Sequence, residues 1–269
     1  MTKLETPTLL ETPTFTFEIF KRILCKDSFD KIETWLKKRQ HCYLGKNEDL
    51  NNNQCEESDD IKGFDVPVLI KSRNGSNKKL MIIVGESPLR NGTEKWLFVG
   101  FPFAVDYIMG KPHQCDVYKE LFNKLLSKGY DLYITDIIKV WSKRESKNLK
   151  VTKDDNYVLN LELGTLSNMY DNKIHILLMG NNAQKWKIKY EESLIRKITE
   201  IKIPHMSQRN WHTWRIKKYE DTFRRLIKEN KITEENIKDL LVNNKTEFRS
   251  MDADIVVNTA LNDIRKQLD

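Results

Sequence analysis

The chain has 269 residues, with 46 Lys and Arg against 39 Asp and Glu and a formal net charge of +7. That length is enough to bury a substantial core, and the basic balance permits a polyanionic partner without requiring one. No apolar run of roughly eighteen residues and no charged-then-apolar leader is present, and Cys25, Cys42, Cys55 and Cys115 lack the close spacing of zinc or iron–sulfur ligands. No membrane span, secretion signal or metal is therefore expected, and the protein is expected in the cytoplasm with reduced thiols.

Residues 1–13 repeat Glu-Thr-Pro and read as a loosely docked lead-in. Phe15 to Gln40 places Phe17, Phe20, Leu24, Phe29, Ile32, Trp35 and Leu36 at helical spacing. Asn47 to Asp60 is polar and aperiodic and reads as a mobile loop, and Phe64 to Ile70 as an edge strand. Leu80 to Val84 is a short unbroken apolar run, the length of a strand buried on both faces, and it ends in Gly85-Glu86-Ser87-Pro88. A second apolar block, Trp96 to Phe103, carries Gly100-Phe101-Pro102-Phe103. A helix is expected from about Gln114 to Lys128, with Val117, Leu121, Leu125 and Leu126 on one face and Gly129 closing it. Asp131 to Lys139 reads as the second buried strand, Ser142 to Lys153 as an exposed basic loop, and Asp154 to Tyr170 as a helix. Ile174 to Met179 and Ile198 to Ile203 supply two more strands, ending in Gly180-Asn181-Asn182-Ala183 and Pro204-His205-Met206-Ser207. Trp211 to Asn230 reads as a helix, and residues 231–269 as two more, the first capped at Thr233.

Strands alternating with helices predict an α/β fold, a three-layer α/β/α sandwich around a mainly parallel four-stranded sheet. The expected division is a helical N-terminal extension with its loop over 1–62, the α/β domain over 63–230, and a helical C-terminal extension over 231–269. In that arrangement four strands end at one sheet edge in Gly-Glu-Ser-Pro, Thr-Asp-Ile-Ile-Lys, Gly-Asn-Asn-Ala and His-Met-Ser-Gln-Arg-Asn. Ligands bind at the carboxyl edge of parallel sheets, so the convergence points to an active site without naming a reaction. His205 there suits a general acid, an electrostatic stabiliser or a plain loop residue. Ser207, Gln208, Arg209 and Asn210 open one helix and Gly180-Asn181-Asn182 another. Such N-termini offer N–H groups to phosphate, or are simply capped by their own Asn and Ser side chains. With Lys139 and Lys143 nearby, they would suit a nucleic-acid backbone. No phosphate-binding Gly-Lys-Ser/Thr loop, Gly-x-Ser-x-Gly elbow or His-Glu-x-x-His helix competes.

These residues resemble the uracil-DNA glycosylase superfamily. Gly85-Glu86-Ser87-Pro88 resembles the Gly-Glu-Ala-Pro-Gly of its thermophilic-type branch, and Gly100-Phe101-Pro102-Phe103 the Gly-Val-Pro-Phe-Gly of its single-strand-selective branch. Tyr133 to Lys139 is similar to a strand reading Tyr-Ile-Thr-Asn-Val-Val-Lys, and Leu178 to Ala183 to a Leu-Gly-x-x-Ala strand end. His205 to Asn210 resembles His-Pro-Ser-Pro-Arg-Asn. Order and spacing agree over roughly residues 80–228; the first 60 residues and the last 40 have no counterpart. The chain departs from the pattern in lacking the iron–sulfur cysteines, in carrying Ser87 where Asp or Asn commonly positions water, in Met206 and Gln208 for two prolines, and in Asp136 for the base-reading Asn.

The resemblance implies a monofunctional, monomeric DNA glycosylase that needs no metal or other cofactor. It flips a base out of duplex or single-stranded DNA and hydrolyses the N-glycosidic bond. Phe103 would stack on the base, Glu86 and Ser87 serve the sugar or the attacking water, and His205 serve the leaving base. Lys139, Gly180, Asn181, Ser207 and Asn210 would hold phosphates, and Arg209 would serve as the wedge or contact the strand. An ionised Asp136 has only acceptors, which suits the N4 amino group of cytosine better than O4 of uracil. The expected target is thus a C5-modified cytosine, with Leu89 and Arg90 on the substituent side, in damaged DNA or in foreign (phage) DNA. Three readings stay open beside it: a uracil glycosylase of base-excision repair, an inactive DNA-binding module on the same scaffold, and a hydrolase of small nucleosides.

Overall fold

The computed structural model describes residues 10–11, 41–42, 54–55, 61–72, 79–86, 97–105, 116–142, 151–170, 174–185, 188–206, 214, 228–229, 233 and 253–268. The strands in chain order are β1 (Leu10–Glu11), β2 (His41–Cys42), β3 (Gln54–Cys55), β4 (Ile61–Asp65), β5 (Val68–Ile70), β6 (Lys79–Gly85), β7 (Leu97–Gly100), β8 (Tyr130–Asp136), β9 (Val140–Ser142), β10 (Ile174–Met179) and β11 (Ile198–Ile203). The helices are α1 (Asp116–Ser127), α2 (Lys153–Met169), α3 (Asn181–Lys185), α4 (Glu192–Ile195) and α5 (Ala253–Leu268), with a 3-10 turn at Pro102–Ala104.

The apolar run at the middle of β6 has no polar residue to turn outward, so its strand must be covered on both faces. It lies at the centre of the main sheet, parallel to β10 on one side and to β8 on the other, with β11 parallel to β10 beyond. β5 continues the sheet antiparallel to β8, and β1 and β2 extend it by two-residue pairings. The fold is α/β with a mixed sheet, and the four strands legible in the sequence are its parallel part.

A second, smaller sheet of order β3-β7-β4-β9 was not expected. It takes Gln54 and Cys55 from the stretch read as a mobile loop, and Val140 to Ser142 from the continuation of the β8 segment. The single edge strand expected over 64–70 is two strands in two sheets, broken at Val66-Pro67, where proline has no N–H to give a ladder.

Alternation along the strands sends side chains to two clusters. Met81, Ile83, Leu132, Ile134, Leu177, Met179, Ile201 and Ile203 pack with Val117, Leu121, Phe122 and Leu125 of α1 and with Val256, Val257, Ala260 and Ile264 of α5. Leu80, Ile82, Val84, Tyr133, Ile176 and Leu178 pack with Leu159, Leu163 and Leu166 of α2 and Leu194 of α4. The described part of the expected C-terminal extension over 231–269 includes α5. α5 belongs to the same core as the sheet, and Gln267 hydrogen-bonds both the N–H and the C=O of Lys202 on β11.

Helix α2 starts on a capping box. Thr152 Oγ1 accepts from the Asp155 N–H at 3.2 Å, and Asp155 Oδ2 accepts from the Thr152 N–H at 2.7 Å. Thr152→Ala should lower the unfolding free energy by about 1 kcal/mol in urea titration, and a change under about 0.3 kcal/mol would mean the box contributes nothing. Among the described residues no helix is long and apolar enough to cross a membrane.

Candidate active site

The carboxyl ends of β6, β8, β10 and β11 meet at one edge of the main sheet. Gly85 closes β6 in register with Asp136, the last residue of β8. The chain after β8 then folds over the end of β6: the Ile137 N–H donates to Gly85 O, and the Ile138 N–H to Glu86 O, both at 3.1 Å. This fixes the backbone of Glu86, whose side chain is half-buried. A Cβ on Gly85 would strike Asp136 Oδ1 and sit 3.0 Å from Phe103 Cζ. The missing side chain thus leaves the place where the Asp136 carboxyl and the Phe103 ring converge. Asp136 is only 4% exposed.

Phe103 has φ 57° and ψ 18°, the left-handed conformation, inside the 3-10 turn. For a residue with a Cβ this costs about 1–2 kcal/mol, and such strain persists where surrounding structure imposes it. Buried Phe101 lies two residues before it, and the Phe103 ring packs against Tyr118 of α1, 5.4 Å between centroids. His205 lies beside both rings, 6.2 Å from that of Phe103 with the two inclined by 29° and 5.8 Å from that of Tyr118.

His205 follows β11 by two residues and is held from several directions. The Ile203 carbonyl before it accepts from the Gly180 N–H at 2.9 Å and from Gln184 Nε2 of α3. Gly180 has φ 98°, and a Cβ there would lie 3.3 Å from His205 Cβ, so this position favours glycine twice over. Fully buried Trp214 donates from Nε1 to His205 O at 3.3 Å. The Tyr118 hydroxyl lies 3.1 Å from His205 Nδ1 and 3.2 Å from Nε2. Burial holds the imidazole pKa below its ordinary value, so His205 is neutral at pH 7, with one ring nitrogen a donor and the other an acceptor.

No protein-family profile matches this chain, and neither a curated protein nor a solved structure does. The site must therefore be read from its own residues. Phe103, Asp136 and His205 come together as expected, with Glu86 at the adjoining strand end. Ser87, Leu89, Arg90, Ser207, Arg209 and Asn210 lie outside the described residues. Among the described residues no group of three His, Cys, Asp or Glu is placed to hold a metal.

Two expected phosphate contacts need correction. Lys139 is 2% exposed, and its Nζ donates to Thr135 Oγ1 at 2.8 Å and to Asp136 O at 2.7 Å and pairs with Glu162 Oε2 at 2.9 Å. It braces the end of β8 from within and presents no charge to a ligand. Gly180 is buried, its N–H engaged by Ile203 O. Asn181 is exposed at the start of α3, a helix of five residues.

The sequence pattern left two participants unmarked. Tyr118 sits on the apolar face of α1 one residue after Val117, where an aromatic reads as core. Glu162 falls between Leu159 and Leu163 on the apolar stripe of α2, an acidic residue at a core position, which was the available sign that it must be paired inside.

Proposed function

We propose that the chain is a monofunctional DNA glycosylase of the uracil-DNA glycosylase type, on a three-layer α/β/α sandwich. What carries the reading is the meeting of Phe103, Asp136 and His205 at the carboxyl edge of the parallel strands, from motifs that resemble those of the superfamily in order and spacing. An aromatic ring held in a strained conformation, beside a buried carboxyl and a neutral imidazole, suits a flat heterocycle with hydrogen-bonding edges better than an aliphatic substrate.

In this mechanism the extruded base rests on Phe103 and Asp136 reads its edge. The N-glycosidic bond breaks with its electron pair leaving on the base, while positive charge develops on the sugar. The His205 N–H stabilises the charge on the departing base, and the Glu86 carboxylate stabilises the sugar or orients water. Water adds its oxygen to C1′ and releases a proton, the base anion takes one up, and an abasic site remains.

The test is a panel of duplex and single-stranded oligonucleotides, each with one uracil, cytosine or C5-substituted cytosine, incubated with the full chain and scored for alkali-labile abasic sites. Cleavage lost in His205→Ala is expected; tight binding with no cleavage anywhere on the panel would leave only a DNA-binding module. Because lysines and arginines displace counterions on DNA, affinity should fall at least ~10-fold between about 50 and 200 mM salt. A flat salt profile with activity on free nucleosides would instead identify a small-substrate hydrolase.

A further inference from the structure

We propose that Lys139 is a positioning residue for the two acidic residues of the site: from inside the protein its ammonium clamps the turn 136–139, which carries Asp136 and holds the backbone of Glu86. The consequence for base choice rests on the glycosylase reading; the clamp itself does not.

A lysine ammonium has three N–H donors and no acceptor, and here three acceptors from different places meet it. Thr135 Oγ1 lies at 2.8 Å, Asp136 O at 2.7 Å, and Glu162 Oε2 of α2 at 2.9 Å. The peptide between Asp136 and Ile137 is thereby fixed at both polar ends: its C=O accepts from Lys139 Nζ, and its N–H donates to Gly85 O at 3.1 Å. The next N–H, of Ile138, donates to Glu86 O at 3.1 Å. At the far end of the turn the Lys139 carbonyl accepts from the Asp65 N–H at 3.1 Å, which ties it to β4 of the second sheet. The lysine side chain thus reaches back across the turn it closes, and Asp136 cannot shift its backbone without breaking a bond to a buried charge.

Stability alone does not account for this pair. A buried ion pair is often replaced by apolar residues of similar volume without loss of stability, and fully buried Glu162 shares α2 with core residues Leu159, Leu163 and Leu166. What an apolar pair would not supply is a donor for Asp136 O. A fully satisfied buried polar network fixes one geometry, and a side chain that reads a ligand edge has to be held to within about 0.5 Å by the groups behind it. The ammonium does that for Asp136 directly and for Glu86 through the Ile138 N–H.

The experiment compares the full chain with its Lys139→Met, Glu162→Leu double variant, which keeps the net charge and removes the ammonium from Asp136 O. Amide hydrogen exchange at Ile137 and Ile138 is read by NMR against Ile82 and Ile83 of β6, which report opening of the core rather than of the turn. In the variant the two turn amides should exchange at least ~10-fold faster relative to the β6 pair. On the oligonucleotide panel kcat should fall about 10- to 100-fold, the scale for a group displaced by ~1 Å, and the rate ratio of C5-substituted cytosine to uracil about 10-fold. Relative exchange equal to wild type overturns the proposal, whatever the kinetics. So does faster exchange with the wild-type base ratio, because the turn would then loosen without moving Asp136. Faster exchange in a chain that cleaves no oligonucleotide even as wild type upholds the clamp and removes the glycosylase reading instead. If the double variant does not fold, Lys139→Met alone is read in the same way at pH 5, where a buried carboxyl without its cation takes up a proton.

Discussion

Replacing Lys139 with methionine is expected to lower the unfolding free energy by about 3–5 kcal/mol, the usual result of removing one partner from a buried ion pair. That is a large part of the roughly 5–15 kcal/mol a domain has. Glu162 is fully buried and accepts from the Tyr133 hydroxyl at 2.9 Å as well as pairing with Lys139. Burial already pushes its carboxyl above the usual range, and the Lys139 ammonium is the largest influence pulling it back. Without Lys139 the folded-state pKa rises further above the unfolded value near ~4.3. A group raised in the folded state contributes stability below its unfolded pKa and loses it as pH rises through the folded one. The deficit against wild type should therefore be smaller at pH 5 than at pH 8. Lys139→Met with Glu162→Leu should recover much of the loss, since the uncompensated charge is gone. Urea titrations at the two pH values test this; equal deficits, or a loss under about 1 kcal/mol, would refute it.

The Lys139 result also marks where sequence reasoning reached and stopped. The strand 80–84 was legible because a strand covered on both faces is continuously apolar; 174–179 is nearly so, and 198–203 carries Ile198, Ile201 and Ile203 among polar residues. In the second sheet β7 lies inside the apolar block Trp96 to Phe103, but β3, β4 and β9 are two to five residues long, and strands that short fall below any periodicity. Asp136 and His205 were legible through their places at strand ends, and Phe103 only through the resemblance of Gly100-Phe101-Pro102-Phe103. Lys139 was misplaced because a lysine beside a ligand edge reads as a phosphate contact; only its pairing with Glu162 of α2 makes it a brace. Tyr118 was invisible for the opposite reason, since its ring is core and only its hydroxyl belongs to the site. Pair relations across the fold decide both, and a single sequence does not carry them.

The same logic makes Asp136 the most direct test of what the pocket accepts. Asp136 and Phe103 converge over Gly85, so in the proposed glycosylase a base lying on the ring would turn an edge toward this carboxyl. Cytosine presents an N4 amino donor there, and a carboxylate oxygen is its natural acceptor. Uracil presents the O4 acceptor instead, against which a carboxylate is repulsive while an amide N–H₂ can donate. Asparagine has nearly the shape of aspartate, so Asp136→Asn changes the donor pattern and leaves the packing over Gly85 in place. The ratio of cleavage rates on a C5-substituted cytosine and on uracil, in otherwise identical oligonucleotides, should fall in the variant by about 10- to 100-fold, as the exchange of one paired hydrogen-bond set allows. Gly85→Ala acts on the same carboxyl by another route: the new Cβ collides with Asp136 Oδ1, so activity should drop and the preference for the cytosine-type base should weaken with it. A wild-type chain that prefers uracil, or an Asp136→Asn ratio equal to wild type, would remove Asp136 from base selection.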